Sequence, residues 1–442
     1  MLLFLKLSKS LFTVILIVLI GIGWASAGFD VVLKNTNKEY NQHLEYAKKY
    51  YDRGLYQMAI KEYKEAGIIK ENKSTNEKIL NAYEKRFKET DSILTEYISF
   101  LTDSIQKYKS EAKYYIKLSD LYVYSNNYES AYKALKKGTS NCKKNKELSN
   151  KLEKLLYSFQ LDWIGYSDIY PESNGYYAVK NNESWGIIDD DGKSIIDTEY
   201  SFITSVGDMK IFLSSKENSE ILDTTGLVQG KIDGIPESSG IFANDLMPIQ
   251  LDGVYSYYDV LGDKKFGNYK IASNYHDGRA IAQKQDDEWV VVDKKGKETK
   301  TEFKDVLFDK NGNYVFNNLI FAKVDKKYSL FNKNFKKIGS FSCDSIDPYD
   351  YDGLIAFEEN KMWGFVNSKG KIIIKPQYEV AKNFSNGLAA VCKDGKWGFI
   401  DKNQKLVIGY QFLDADYFNA KKNCFVKENA KNWKLLKFVL DK

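Results

Sequence analysis

A repeat of about 35 residues fills the last two-thirds of the sequence and constrains the fold more than any other feature. Aligned on an aromatic position, the repeats read Trp185, Ser219, Tyr255, Trp289, Tyr328, Trp363, Trp397 and Trp433. Subtraction of successive numbers gives spacings of 34, 36, 34, 39, 35, 34 and 36 residues. A period of this length is typical of repeat architectures, in which each unit buries its apolar face against the next. We therefore predict a repeat domain over residues 161–442.

Two further positions keep the same phase and predict a turn. Four residues after the aromatic position the sequence reads Asp189, Asp223, Asp259, Asp293, Asn332, Asn367, Asp401 and Lys437. Seven residues after it the sequence reads Gly192, Gly226, Gly262, Gly296, Phe335, Gly370, Gln404 and Leu440. An Asp or Asn that opens a four-residue turn accepts hydrogen bonds from backbone amides, and glycine supplies the positive φ that closes the turn. Each repeat is thus expected to contain a tight hairpin. A calcium loop is disfavoured because ligands at alternate positions are missing.

Glycine follows tryptophan in several repeats, as in Trp363-Gly364 and Trp397-Gly398. The indole is a large apolar plate, and a neighbouring glycine allows another sheet or ring to approach the backbone closely. We interpret these tryptophans as packing between repeats. A row of rings that stack on a ligand is the alternative.

The repeats resemble the WG-repeat family of bacterial proteins. The resemblance rests on Lys396-Trp397-Gly398-Phe399-Ile400-Asp401 and on the segments 373–378 and 384–391. It is closest around Trp363 and Trp397 and weaker in the other repeats. The resemblance implies a β-repeat module with a binding or interaction role, and it supplies no catalytic residue.

The content of one repeat indicates how the repeats assemble. About 35 residues hold four strands of about five residues and their short connections, which is the content of one β-propeller blade. The last repeat stops at Leu440 without its final strand, and residues 163–169 resemble that strand. Pairing of the two ends would remove open sheet edges. We predict an all-β propeller of seven or eight blades, with an open β-solenoid as the alternative.

Residues 37–159 are predicted to form helical repeats, because every proline lies beyond residue 170 and the segment keeps a helical period. Small residues such as Ala59 and Ala131 lie at helix-pair spacing beside turns at 54–56 and 125–128. Here the sequence resembles tetratricopeptide repeats, which implies a partner-binding scaffold; a spacer is the alternative.

The remaining parts of this helical segment fit the repeats less well. The middle stretch, residues 81–108, keeps the helical period but has Thr95 near the place of the small residue. Residues 146–159 are expected to form a closing helix.

Residues 1–30 are predicted to direct the chain to the membrane. From Ser10 to Phe29 there are 20 consecutive uncharged residues, preceded by two lysines, which is enough for one helical span. Basic residues before such a span favour a cytoplasmic N-terminus and an exported body. Ala25-Ser26-Ala27 also fits a signal-peptidase site. Both alternatives, a single-pass anchor and a cleaved signal peptide, place the body outside the cytoplasmic membrane.

The composition offers little for catalysis or for cofactor binding. Only His43 and His276 are available, and the four cysteines are 201, 49 and 32 residues apart, which fits neither a metal site nor a small disulfide framework. The 65 basic and 60 acidic residues nearly cancel, which argues against nucleic acid as a partner. We therefore predict no catalytic, cofactor-binding or metal-binding residues, and no cofactor.

Together these features favour a membrane-tethered, extracytoplasmic interaction protein of the cell envelope. The β-repeat domain would recognise a peptide, a protein or a glycan, and the helical repeats would act as a scaffold. A structural spacer or assembly scaffold is one alternative. A propeller hydrolase or lyase of cell-wall material is another, and it requires acidic loop residues such as Asp347, Asp350 and Asp352 to converge at one end of the channel.

Overall fold

The computed structural model describes residues 34–215 and 218–440. The chain divides into a helical unit that ends at Leu156 and a β-repeat unit that begins at Tyr157. The predicted membrane segment, residues 10–29, lies outside the described residues. Among the helices within the two described ranges, none is both long and apolar enough to cross a membrane.

Seven α-helices follow one another in the described part of the helical unit. They are α1 (residues 34–52), α2 Tyr56–Ile69, α3 Lys73–Glu89, α4 Leu94–Lys107, α5 Ala112–Tyr124, α6 Tyr128–Asn141 and α7 Lys146–Leu156. Polar side chains cap the first turns of α3 and α6, because a helix leaves its first backbone amides without partners. Asn72 caps α3 by accepting a hydrogen bond of 2.9 Å from the amide of Thr75. From α2 onward, each helix packs against the next.

Most of the turns and small residues that the sequence predicts for the helical unit are found at the expected places. Gly54, with a φ of 76°, separates α1 from α2, and Ala59 and Ala131 have no exposed surface. Thr95 is exposed and does not take the place of a buried small residue, in keeping with the loss of the pattern in this stretch. The stacked rings of Tyr83 in α3 and Tyr97 in α4, with centroids 5.1 Å apart, fill the space between these two helices.

The β-repeat unit contains seven antiparallel sheets, six with four strands and one with seven. The seven-stranded sheet carries two repeats that share one strand, so its halves are numbered separately as sheets 3 and 4, which gives eight sheets of four strands in chain order. Its first strand, β1, is Phe159–Trp163. Sheets 1 to 4 contain β2 Asp168–Ile169, β3 Tyr176–Asn181, β4 Ser184–Asp189 and β5 Ser194–Tyr200; β6 Phe202–Ile203, β7 Lys210–Ser214, β8 Ser219–Asp223 and β9 Val228–Ile232; β10 Ser238–Ser239, β11 Met247–Leu251, β12 Val254–Tyr258 and β13 Lys264–Ala272; and β14 Arg279–Lys284, β15 Trp289–Asp293 and β16 Glu298–Lys300. The strand β13 belongs to both sheet 3 and sheet 4, because it pairs with β12 and with β14.

The second half of the unit follows the same plan. Sheets 5 to 8 contain β17 Asp305–Val306, β18 Leu319–Lys323, β19 Tyr328–Asn332 and β20 Lys337–Cys343; β21 Ser345–Ile346, β22 Leu354–Glu359, β23 Met362–Asn367 and β24 Ile372–Tyr378; β25 Val380–Ala381, β26 Leu388–Lys393, β27 Lys396–Asp401 and β28 Leu406–Phe412; and β29 Asp414–Phe418, β30 Cys424–Lys427 and β31 Lys434–Phe438. The four cysteines of the chain are buried and free.

The last sheet takes its fourth strand from the beginning of the unit. Strand β1 pairs antiparallel with β31, so that Leu161 lies opposite Leu436. This strand begins at Phe159, within the segment predicted to be helical, and it ends at Trp163, the first residue of the predicted segment 163–169. Both boundaries are corrected because the backbone of β1 completes the hydrogen-bonding ladder of β31.

The first sheet also packs against the last sheet. Ile169, Tyr177 and Ile188 of sheet 1 share an apolar cluster with Phe425 and Leu435 of sheet 8. The rings of Tyr177 and Phe425 meet edge to face, with centroids 4.9 Å apart. The last sheet of the β-repeat unit therefore packs against the first.

The hairpin turn predicted from the repeat is confirmed in seven of the eight repeats. At each Asp or Asn position, one side-chain oxygen accepts hydrogen bonds from the amides two and four residues later; Asp189, for example, binds the amides of Asp191 and Lys193 at 3.0 and 2.9 Å. The same pair of bonds occurs at Asp223, Asp259, Asp293, Asn332, Asn367 and Asp401. Even Phe335 and Gln404, where glycine is replaced, have φ values of 62° and 66°.

The glycine after the tryptophan has a different neighbour from the one predicted. A Cβ atom on Gly398 would lie 2.7 Å from the carbonyl oxygen of Ile408, and one on Gly364 would lie 2.5 Å from that of Ile374. The backbone that approaches belongs to the outer strand of the same sheet, and neither another sheet nor a ring takes that place. The register is irregular here, so the two strands bulge toward each other.

Candidate functional site

One connection in the β-repeat unit is much longer than its equivalents. In seven of the sheets, a short loop of five to seven residues joins the first strand to the second. In sheet 5 the corresponding loop between β17 and β18 occupies positions 307–318 and is therefore almost twice as long. This extra length explains why Trp289 and Tyr328 are farther apart than any other pair of successive repeat positions.

Residues 309–313 of that connection, here called the crossing segment, reach three other sheets. The side chain of Asn311 donates a hydrogen bond of 3.0 Å to the carbonyl of Pro171 and lies 3.2 Å from the hydroxyl of Ser205. Its own carbonyl accepts a bond of 2.8 Å from the side chain of Asn274. These partners belong to the equivalent connections of sheets 1, 2 and 4. The crossing segment therefore ties together connections that are distant in sequence.

A cavity of about 810 Å³, here called the larger cavity, lies beside the crossing segment. Connections from six sheets form its walls, and each contributes a polar side chain: Glu172, His276, Asn317, Asp350, Asn386 and Asn419. Pockets for small ligands commonly measure roughly 300–1,000 Å³. The convergence of six connections on a space of this size makes it the candidate functional site.

Carboxylates outnumber basic groups in the walls of the larger cavity. The acidic side chains are Glu172, Asp309, Asp350 and Asp352, and the basic one is His276. Asp352 forms an ion pair of 2.8 Å with Lys402. Within residues 34–215 and 218–440, the other three carboxylates have no ion-pair partner. The electrostatic potential of the cavity is therefore expected to be negative.

Desolvation raises the pKa of several of these carboxylates. The pKa of Asp309 rises to about 6, although Asn313 donates to it from its amide at 2.8 Å and from its side chain at 2.9 Å. The pKa of Glu172 is raised by desolvation and, in the same direction, by the negative charges of Asp190 and Asp350. These carboxyl groups are thus close enough to repel one another.

The three acidic residues that the hydrolase hypothesis requires to converge are divided between two cavities. Asp350 and Asp352 line the larger cavity, whereas Asp347 lines a second cavity of about 320 Å³. An oxygen of Asp347 accepts a hydrogen bond of 2.6 Å from the hydroxyl of Tyr417, and desolvation raises its pKa to about 6. The ring of Tyr417 stacks on that of Tyr349, which lines both cavities, with centroids 3.6 Å apart.

Aromatic rings and carboxamides complete the larger cavity. Phe316, Tyr349, Tyr351 and Phe418 contribute rings, and none of the described tryptophans of the repeat lines it. Ring faces and carboxylates both attract cations, while carboxamides bind polar groups of either kind. In the part of the chain that the structure describes, no cluster of three or more His, Cys, Asp or Glu side chains could hold a metal ion.

Sequence reasoning missed two residues of this site. Asp309 lies in the long connection, and the only signal for it was the wide interval between Trp289 and Tyr328. Glu172 follows Pro171 in the first repeat, where neither spacing nor composition sets it apart. Both residues reach the cavity because connections of different repeats converge, which one sequence does not reveal.

The fold and the site define a repeat protein in which helices precede a set of β-sheets with a polar cavity between their connections. Three of its segments, residues 185–207, 363–397 and 397–431, match the family described as WG containing repeat. Each matched segment begins at one of the Trp-Gly pairs.

Solved structures that are similar to this chain include the following two. BamB from Moraxella catarrhalis is 11% identical, with 63% of this chain and 96% of that chain covered and a TM-score of 0.39. PorZ, a surface component of the type-IX secretion system of Porphyromonas gingivalis, is 12% identical, with 60% of this chain and 42% of that chain covered and a TM-score of 0.35. No curated protein matches the sequence.

Proposed function

We propose that the protein is a non-enzymatic interaction protein of the cell envelope. The eight sheets form a closed β-propeller, and its larger cavity binds a basic segment of a protein or peptide. The pairing of β1 with β31 and the packing of sheet 1 on sheet 8 support a closed ring over an open solenoid. The uncharged segment at residues 10–29 supports a location outside the cytoplasmic membrane, with the segment either retained as an anchor or cleaved.

The observation that carries this proposal is the excess of unpaired carboxylates in the larger cavity. Glu172, Asp309 and Asp350 have no ion-pair partner among the described residues, and His276 is the one basic side chain in the wall. A lysine or arginine side chain would supply the missing positive charge and would also lie against ring faces such as that of Tyr349. We therefore expect ligands with positive charge in preference to neutral glycans.

The helical unit is proposed to act as a scaffold of tetratricopeptide type. Its helix pairs, with the buried Ala59 and Ala131 beside their turns, support this interpretation. In this account the helical unit presents a second surface for a partner or spaces the propeller from the membrane.

A capture experiment with a filled cavity tests the proposal. Residues 30–442 serve as bait in an envelope extract, beside the variant Ala420→Trp, which places a large ring in the wall of the larger cavity. Lys326→Trp is the matched control, because Lys326 is exposed in the turn between β18 and β19. We expect the same protein to bind the unmodified bait and the control but not the cavity variant. Equal capture by all three baits would contradict the proposal and favour a structural spacer.

A hydrolase or lyase of cell-wall material is the second candidate, because carboxylates with a raised pKa lie together in the larger cavity. A carboxyl group whose pKa is raised by a neighbouring carboxylate is suited to act as a general acid. Peptidoglycan incubated with the protein should then release soluble fragments, and Glu172→Gln or Asp350→Asn should stop the release. Absence of fragments with the unmodified protein would exclude this candidate for that substrate.

A further inference from the structure

The second cavity lies on the other side of the crossing segment and has a different character. Its volume is about 320 Å³, and Asp309 and Tyr349 separate it from the larger cavity because they line both. Three lysines as well as several carboxylates form its walls. The mixture of both charges distinguishes it from the acidic larger cavity.

Among the lysines of this wall, Lys427 alone has no ion pair within the described residues. Lys310 pairs with Asp168 at 3.4 Å, and Lys382 pairs with Asp416 at 3.1 Å. Lys427, in contrast, has no carboxylate partner within the described ranges; its ammonium group lies 3.4 Å from the carbonyl of Ser167.

The residue across the sheet from Lys427 carries the opposite charge. Asp414 lies directly opposite Lys427 in the pairing of β29 with β30. One oxygen of Asp414 accepts a hydrogen bond of 2.8 Å from the amide of Ala415, and no ion pair of this side chain occurs among the described residues. Asp309 and Asp347 also line the cavity without an ion pair in the described parts of the chain, but Asp414 is the carboxylate directly opposite Lys427 in the sheet.

A buried donor without an acceptor lies in the same wall. Trp433 is 6% exposed, and its indole N–H has no hydrogen-bond partner in the described structure. The ammonium group of Lys427 lies over this indole, 4.7 Å from the ring centroid. Buried donors in proteins nearly always find an acceptor, so a missing acceptor points to a group that binds here.

We propose that the second cavity binds a small zwitterion, an α-amino acid or a dipeptide. The carboxylate of the ligand lies between the ammonium group of Lys427 and the indole N–H of Trp433, and its ammonium group binds Asp414. The cavity is at the lower end of the size range for ligand pockets, which suits a ligand of one or two residues. This site is separate from the cavity proposed above to bind basic segments.

Glycylglycine and its two capped forms test the proposal on the whole chain. Glycylglycine carries both charges, N-acetylglycylglycine lacks the ammonium group, and glycylglycine amide lacks the carboxylate. In an NMR titration we expect glycylglycine to bind and each cap to weaken binding by about tenfold or more. No binding of glycylglycine at about 10 mM, or equal binding of the capped forms, would overturn the proposal.

Variants of Lys427 assign the contact. Lys427→Met should weaken the binding of glycylglycine by about tenfold. It should leave the affinity for glycylglycine amide unchanged, because that form has no carboxylate for Lys427 to bind. Lys434→Met is the matched control, since Lys434 is in the next strand, pairs with Glu428 and does not line the cavity. If Lys427→Met weakened the binding of both ligands equally, the role of Lys427 would be merely structural, and the assignment would be overturned.

Discussion

The side-chain nitrogen of Asn311 donates a hydrogen bond of 3.0 Å to the backbone carbonyl of Pro171, which lies 140 residues earlier in the chain. Asn311 is 3% exposed, so water does not replace this bond. The bond joins the long connection of sheet 5 to the connection of sheet 1 that carries Glu172. The crossing segment thus fixes two walls of the larger cavity relative to each other.

Removal of the Asn311 side chain should destabilise the β-repeat unit. Asn311→Ala leaves the carbonyl of Pro171 without a donor, and a buried group without its partner costs about 1–3 kcal/mol. Urea unfolding measures the change. Asn403→Ala, in an exposed turn, is the control and should change the free energy of unfolding by less than about 0.5 kcal/mol. Equal effects of the two variants would contradict the role of the crossing segment.

The glycine after tryptophan should tolerate no side chain. In Gly398→Ala the new Cβ would lie 2.7 Å from the carbonyl oxygen of Ile408, so the bulged strands must separate. We expect a loss of about 1–3 kcal/mol in the free energy of unfolding. Gly409→Ala is the matched control, because no atom lies within 4 Å of its Cβ position and its φ is not positive. If Gly398→Ala were as stable as Gly409→Ala, close strand approach would not explain the Trp-Gly pair.

A disulfide should join the two ends of the β-repeat unit. Gln160 of β1 lies opposite Lys437 of β31, so cysteines at both positions should cross-link under mild oxidation. The bond would close almost the whole unit into a ring and stabilise it by about 3–5 kcal/mol. Cysteines at Gln160 and Lys434, which are out of register, should not cross-link. Cross-linking of both pairs, or of neither, would contradict the pairing of β1 with β31.

The repeated elements were the part of the fold that the sequence could predict. Asp189 and Gly192 build a turn from residues that are close in the chain, so their chemistry is readable without knowledge of the rest of the protein. The same holds for the helix turn at Gly54. Local hydrogen bonds and a required positive φ restrict these positions to a few residue types.

The site was less predictable because it depends on contacts between distant repeats. The hydrolase hypothesis requires Asp347, Asp350 and Asp352 to converge, but Asp347 lines the second cavity and the other two line the larger one. The strand that completes sheet 8 was placed too late in the sequence. Only the pairing of β1 with β31 decides its position, and these two strands lie at opposite ends of the β-repeat unit in the sequence.

Asp347 should make the stability of the protein depend on pH. Its folded pKa of about 6 lies above the unfolded value of about 3.9, so the folded state binds the proton more tightly. This contribution to stability is fully present below about pH 4 and is lost as the pH rises through about 6.

Asp347→Asn removes the titrating carboxyl group and so tests the direction of this pH dependence. From pH 4 to pH 7, the free energy of unfolding of the variant should rise relative to the unmodified protein by about 1–3 kcal/mol. Asp325→Asn, in an exposed turn, should show a constant difference over the same range. A constant difference for Asp347→Asn as well would contradict the raised pKa.

Calorimetric titration with a lysine tripeptide blocked at both ends measures whether the larger cavity binds positive charge. We predict binding at low salt that weakens as salt is added, and much weaker binding of the corresponding glutamine tripeptide. The double variant Glu172→Gln, Asp350→Asn should lose about tenfold to a hundredfold in affinity, whereas Asp325→Asn should lose none. Equal binding of the two tripeptides, or unchanged affinity in the double variant, would contradict the binding of positive charge in the larger cavity.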